Sequence, residues 1–132
     1  MKWEKRVVLD PKLAPLSPSP TSAHAVVVGP FVYVTGQTGQ KPGEASCTGD
    51  IKQQARQVVE NIGAILAACG TSLENVVKRT TMIGAGGDAV VEAYEVIDKL
   101  FPSACASTTI EVPRVLVPGA LIEMDVVALI PE

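Results

Sequence analysis

Residues 50–83, "DIKQQARQVVENIGAILAACGTSLENVVKRTTMI", decide the architecture, because they hold a complete helix, its stop signal and the strand that follows. Ile51, Ala55, Val58, Ile62, Ile65, Leu66 and Cys69 recur at spacings of three and four, with Lys52, Gln53, Arg56 and Glu60 opposite. That is the pattern of an amphipathic helix laid on a core. Asp50 stands where a side chain can cap the first free amides, and Gly70 where a left-handed C-cap is needed. "TSLENVV" predicts a short turn with a capping box of Thr71 and Glu74. "VVKRTTMIG" (76–84) then has the β-branched content of a strand.

On the N-terminal side, "WEKRVVL" (3–9) predicts a first strand. "AHAVVVG" (23–29) and "FVYVTGQ" (31–37) predict a hairpin joined at Gly29-Pro30. Between them, Pro11, Pro15, Pro18 and Pro20 impose an extended loop, expected to pack along a cleft. "TGQKPGEASCTG" (38–49) is a polar loop. On the C-terminal side, Asp88 is expected to cap a second helix running through Val90, Val91, Tyr94, Ile97, Leu100 and Phe101 to a stop at Pro102. Two strands, roughly 105–112 and 120–130, finish the chain. In the last, Ile122, Met124, Val126 and Ala128 share one face, and Glu123, Asp125 and Val127 the other.

The order is β-β-β-α-β-α-β-β, an α+β fold in a single domain over 1–132, with a six-stranded mixed sheet and two helices on one face. The opposite sheet face keeps apolar residues, so a second subunit is its expected cover.

Composition narrows the function. The 132 residues are 47% hydrophobic and 19% charged with a net charge of −3, a globular balance without a basic run. Aromatics are 4%, too few for stacking on bases. Neither nucleic acid nor an anionic membrane is an expected partner. The most apolar run, "AVVVGPFVYVTG", is cut by Gly29-Pro30 and is too short to span a bilayer. "MKWEKRVVLD" alternates and carries charge, unlike a signal peptide. Cys47, Cys69 and Cys105 form no CxxC pair and share the chain with one histidine, His24. Reduced thiols in a cytoplasmic protein without a metal site are expected.

Three stretches carry a family resemblance: "VVVGPFVYVTGQTG", the helix-turn-strand of 50–83, and "VPGALIEMDVVAL". From about residue 20 to 130 the chain resembles the RidA/YjgF family of reactive-intermediate deaminases. The resemblance implies a homotrimer of chorismate-mutase-like subunits, with the sheets forming a barrel and a cleft between neighbouring subunits. It also implies hydrolysis of small-molecule imines and enamines, such as 2-aminoacrylate, to a keto acid and ammonia, with no cofactor. Family deaminases clamp the substrate carboxylate with an arginine on the penultimate strand, whose planar fork matches it in two hydrogen bonds.

Carried over by position, the resemblance makes Glu123 the residue that orients water and Thr35 the hydroxyl facing substrate, with the Gly36 N–H as a second donor. Ser22 stands at the family's tyrosine and Val91 at its asparagine. Ser107 stands at the clamping arginine, or Ala104 if the gap is slid, and Arg114 matches a second arginine further along. A standard 2-aminoacrylate deaminase is therefore not expected.

His24 is a candidate general base or carboxylate-binding donor, against a satisfied structural histidine. Cys105 opens the cleft strand as a candidate nucleophile or an inert thiol. Ser107, Thr108 and Thr109 suit a carbonyl or neutral polar ligand, each hydrogen bond contributing about 0.5–1.5 kcal/mol net. Nothing in the sequence places Arg79 near them. The leading expectation is an enzyme acting on an imine, enamine or related carbonyl compound. A metabolite-binding or regulatory protein that kept the pocket is the alternative, and a chaperone-like or translation-modulating role a third.

Overall fold

The computed structural model describes residues 2–132. Strands β1 (Lys5–Val8), β2 (Ala25–Val28) and β3 (Phe31–Thr38) precede helix α1 (Ile51–Ala68). A short 3-10 turn (Leu73–Asn75), β4 (Val76–Ile83), α2 (Ala89–Leu100), β5 (Ala106–Glu111) and β6 (Ile122–Leu129) complete the chain. The predicted order holds, with every strand shorter than its predicted run except β3, which extends one residue further, to Thr38.

One sheet runs β1-β2-β3-β6-β4-β5. Every neighbour is antiparallel except β4 and β5, which α2 joins as a parallel pair. That pairing sets Arg79 directly beside Ser107 and Thr81 beside Thr109.

Asp50 and Gln53 close α1 with a reciprocal capping box, each side chain binding the other's backbone N–H at 2.9 Å. Gly70 ends the helix with φ +86°, a conformation that costs a side chain and suits glycine. The apolar stripe of α1 is buried as its spacing requires, with Ile62, Ile65 and Leu66 wholly inside. Burying each contributes roughly 1.5–3 kcal/mol. They meet Val32, Val34, Ile122, Met124 and Val126 from the sheet and Ala93 and Ile97 from α2 in one core.

Two predicted caps do not form. Thr71 donates its hydroxyl to the Leu129 carbonyl at 2.6 Å and accepts from Asn75 Nδ2 at 3.2 Å, and the 3-10 turn begins without a side-chain capping bond. Asp88 begins α2 without a side-chain capping bond. The sheet face away from the helices exposes Tyr33, Ile110 and Leu129. Among the described residues, no helix is long and apolar enough to cross a membrane.

Candidate active site

A bulge builds the first half of the site. Val34 pairs with Val126 and Gln37 with Met124, so Thr35 and Gly36 together oppose Asp125 alone. The extra residue breaks the ladder and re-aims the strand, a common device beside active sites. The Thr35 N–H turns to the His24 carbonyl at 3.0 Å. Its hydroxyl donates to the Ala23 carbonyl, leaving the oxygen free to accept.

Gly36 lies against Glu123 so closely that a Cβ there would meet Glu123 Oε2 at 2.5 Å. Bare backbone is what lets the carboxylate lie over the bulge. Both residues line a cavity of about 210 Å3 with Thr35, Ser22, Leu16 and Leu116. Residues 14–17 of the proline loop wall it, as expected.

Burial first, and then the charge of Asp125 on the same face, push the Glu123 carboxyl above its ordinary value. Glu123 thus holds a proton more readily than a surface glutamate. Asp125 is also pushed up by burial, against the opposing charge of Lys78.

A second group gathers at the other edge of the sheet. Tyr94 from α2 shares its hydroxyl with Thr109 at 2.6 Å, Thr81 at 3.2 Å and Ser107 at 3.5 Å. Arg79 donates from Nε to Ser107 Oγ at 3.1 Å. Burial pushes the Tyr94 phenol up, but its hydrogen bonds with Ser107, Thr109 and Thr81 and the charge of Arg79 leave it lowered overall. Cys105 is half-buried beside a neighbouring cavity that Arg79 also lines.

Thus Ser22, Thr35, Gly36 and Glu123 come together within the chain, while Ser107, Thr109 and Cys105 form a separate group. His24 leaves the chemistry, and Val91 lines neither cavity within the single chain. His24 is only 3% exposed. Its Nδ1 accepts from the Asp10 N–H at 3.3 Å, and its Nε2 pairs with the Ala14 carbonyl at 2.8 Å. Both ring nitrogens are used in holding the proline loop, so none remains for a substrate proton. Val91 is 64% exposed on α2 and lines neither cavity, because its helical position turns it from the sheet. Arg114 is likewise exposed and lines neither.

Sequence reasoning missed Tyr94 as a polar hub, reading it only as part of the apolar stripe. Its phenol ring does pack against the core, and only its tip reaches the hydroxyls. The β4–α2–β5 order carried the usable signal, since a helical crossover implies a parallel pair and brings α2 over both strands.

The Endoribonuclease L-PSP family profile matches residues 12–130. A RutC family protein of Pyrococcus abyssi is 39% identical over 126 residues, covering 94% of this chain and 96% of that protein. The 2-iminobutanoate/2-iminopropanoate deaminase of Homo sapiens is 33% identical over 128 residues, covering 94% and 90%. Among solved structures, RidA from an Antarctic Psychrobacter bacterium superposes with a TM-score of 0.82 at 30% identity, covering 94% of this chain and 98% of that one. Yeast Mmf1 gives 0.86 at 28% identity, covering 96% and 98%.

Proposed function

This chain belongs to the Endoribonuclease L-PSP family, the RidA/YjgF family of the sequence resemblance, and from that premise we propose that it hydrolyses a small imine, enamine or related carbonyl compound. The observation that carries the reading is Glu123, half-buried on the glycine bulge, with its carboxyl raised by burial and by Asp125. A carboxyl of that kind can give a proton to the imine nitrogen and then, as carboxylate, take one from the attacking water. Water adds to the C=N carbon, the C–N bond breaks, and the products are a carbonyl compound and ammonia. No metal or organic cofactor enters this scheme.

The human relative named as an imine deaminase supports this reaction class. The cavity itself argues against phosphate-bearing substrates, RNA included, despite the family's title. Among the described residues, its one charged lining residue is Glu123, which repels a phosphate. We propose that a second copy of the chain covers the exposed Tyr33 face and brings its Ser107 edge to the Glu123 cavity, as the trimeric arrangement of the resemblance implies. With Ser107 where the clamping arginine would stand, the substrate is proposed to differ from 2-aminoacrylate.

The test follows ammonia release from imines made in place by an amino-acid oxidase acting on a range of amino acids. At least one imine should be hydrolysed roughly tenfold or more above buffer, and Glu123→Gln should lose roughly a hundredfold or more. Enamines supplied by serine or threonine dehydratase should be little accelerated. Failure with every imine, or full activity in Glu123→Gln, would overturn the proposal. A surviving non-catalytic binding role would then appear as ligand-induced thermal stabilisation.

A further inference from the structure

Arg79 is a nearly buried cation, 9% exposed, and such a charge needs compensation. The chain compensates it only in part. Nε is bound to Ser107 Oγ. Nη2 stands 3.7 Å from the Asp98 carboxylate, beyond hydrogen-bonding distance, and that carboxylate is 68% exposed. The guanidinium lies 4.7 Å from the Phe101 ring centre and 5.3 Å from that of Tyr94, a cation–π setting that fixes its plane. Among the described residues no buried side-chain nitrogen lacks a partner. The remaining N–H groups of the fork must therefore open outward, toward the cavity of about 400 Å3 that Arg79 lines with Asp98, Phe101, Ser103 and Cys105.

We infer that this cavity binds a small carboxylate, gripped by the Arg79 guanidinium, whose Nε is held in place by Ser107. A rigid fork with free N–H groups matches a planar carboxylate in two parallel bonds. A single cation with Asp98 close by suits a monoanion and leaves a phosphate dianion under-compensated. Adjacent strands lie about 4.8 Å apart, so a grip rooted on β4 differs in position from one rooted at residue 107 on β5. Acids of a different reach are then selected.

As a binding site, this cavity stands apart from Glu123. That the carboxylate belongs to the hydrolysed substrate rests on the proposed function.

Calorimetry with propanoate, propanamide and inorganic phosphate tests it. Propanoate should bind, propanamide should bind at least tenfold more weakly, and phosphate should bind more weakly than propanoate. Arg79→Met keeps an apolar stem between the rings and should weaken propanoate at least tenfold. Arg79→Lys, which keeps the charge and loses the fork, should fall between and serves if the Met variant does not fold. Glu123→Gln should retain propanoate binding while losing hydrolysis, so failure of the anion site and failure of the deaminase reading are separable. Propanoate binding unchanged in either Arg79 variant, or phosphate bound as tightly as propanoate, would overturn the assignment.

Discussion

Glu123 Oε2 occupies the space that a Cβ on Gly36 would fill, 2.5 Å from that position. Gly36 does not have a positive φ, so its glycine is required for space and not for backbone conformation. The atom in the way is the tip of a flexible side chain, which can swing aside. Gly36→Ala should therefore fold with little change in Tm and displace the carboxylate. Displacement of about 1 Å can cost a hundredfold in rate, so catalytic efficiency should fall roughly ten- to a hundredfold. Unchanged activity would show that the position of Glu123 over the bulge is not what the chemistry needs.

The raised carboxyl of Glu123 makes a second prediction, with a definite sign. Burial and Asp125 disfavour the charged form, so the folded chain holds this proton more tightly than the unfolded chain does. The stability linked to it is complete below the ordinary glutamate value and is lost as pH rises through the higher folded value. Glu123→Gln removes that dependence. Its melting temperature should match that of the parent in acid and exceed it at neutral pH and above. A constant offset across the range would mean that the carboxyl is not perturbed.

How much of this is legible in the sequence depends on the range of the forces involved. The Asp50 cap and the 122–128 alternation are local, and a reading of spacing finds both, though the Gln53 half of the capping box shows only in the structure. The register between distant strands is not local. Thr35 and Gly36 are thrown out of the ladder because of where β6 pairs. Arg79 meets Ser107 because of how β4 and β5 align. His24 looks available for chemistry in the sequence because its partners, Asp10 and Ala14, are loop backbone groups that no pattern announces.

His24 should behave as a structural residue. His24→Ala removes the bonds to the Asp10 N–H and the Ala14 carbonyl, at a cost of roughly 1–3 kcal/mol. The loop it releases walls the Glu123 cavity through residues 14–17. KM should therefore rise by a larger factor than turnover falls, and limited proteolysis should cut within 10–17. A roughly hundredfold slower turnover with an intact loop, the size of a lost general base, would return His24 to the chemistry.

Gln54 should prove to be the tether that places Glu123. It is 1% exposed, and its Nε2 donates to the Gly119 carbonyl at 2.9 Å and the Gly49 carbonyl at 3.2 Å. Its Oε1 accepts the Leu121 N–H at 2.8 Å, two residues before Glu123. Gln54→Leu keeps the bulk and orphans these backbone groups, each worth about 1–3 kcal/mol. A loss of roughly 3 kcal/mol or more is expected in chemical denaturation, with reduced activity in whatever remains folded. Gln54→Glu separates polarity from shape. Its carboxylate can accept from Leu121 but faces two carbonyls, so the folded state favours the protonated form. That variant should be more stable at about pH 5 than at about pH 8, because the contribution of a raised carboxyl is lost as pH rises. Equal stability at both values, or a Gln54→Leu loss below about 1 kcal/mol, would show that the loop before β6 is held by other contacts.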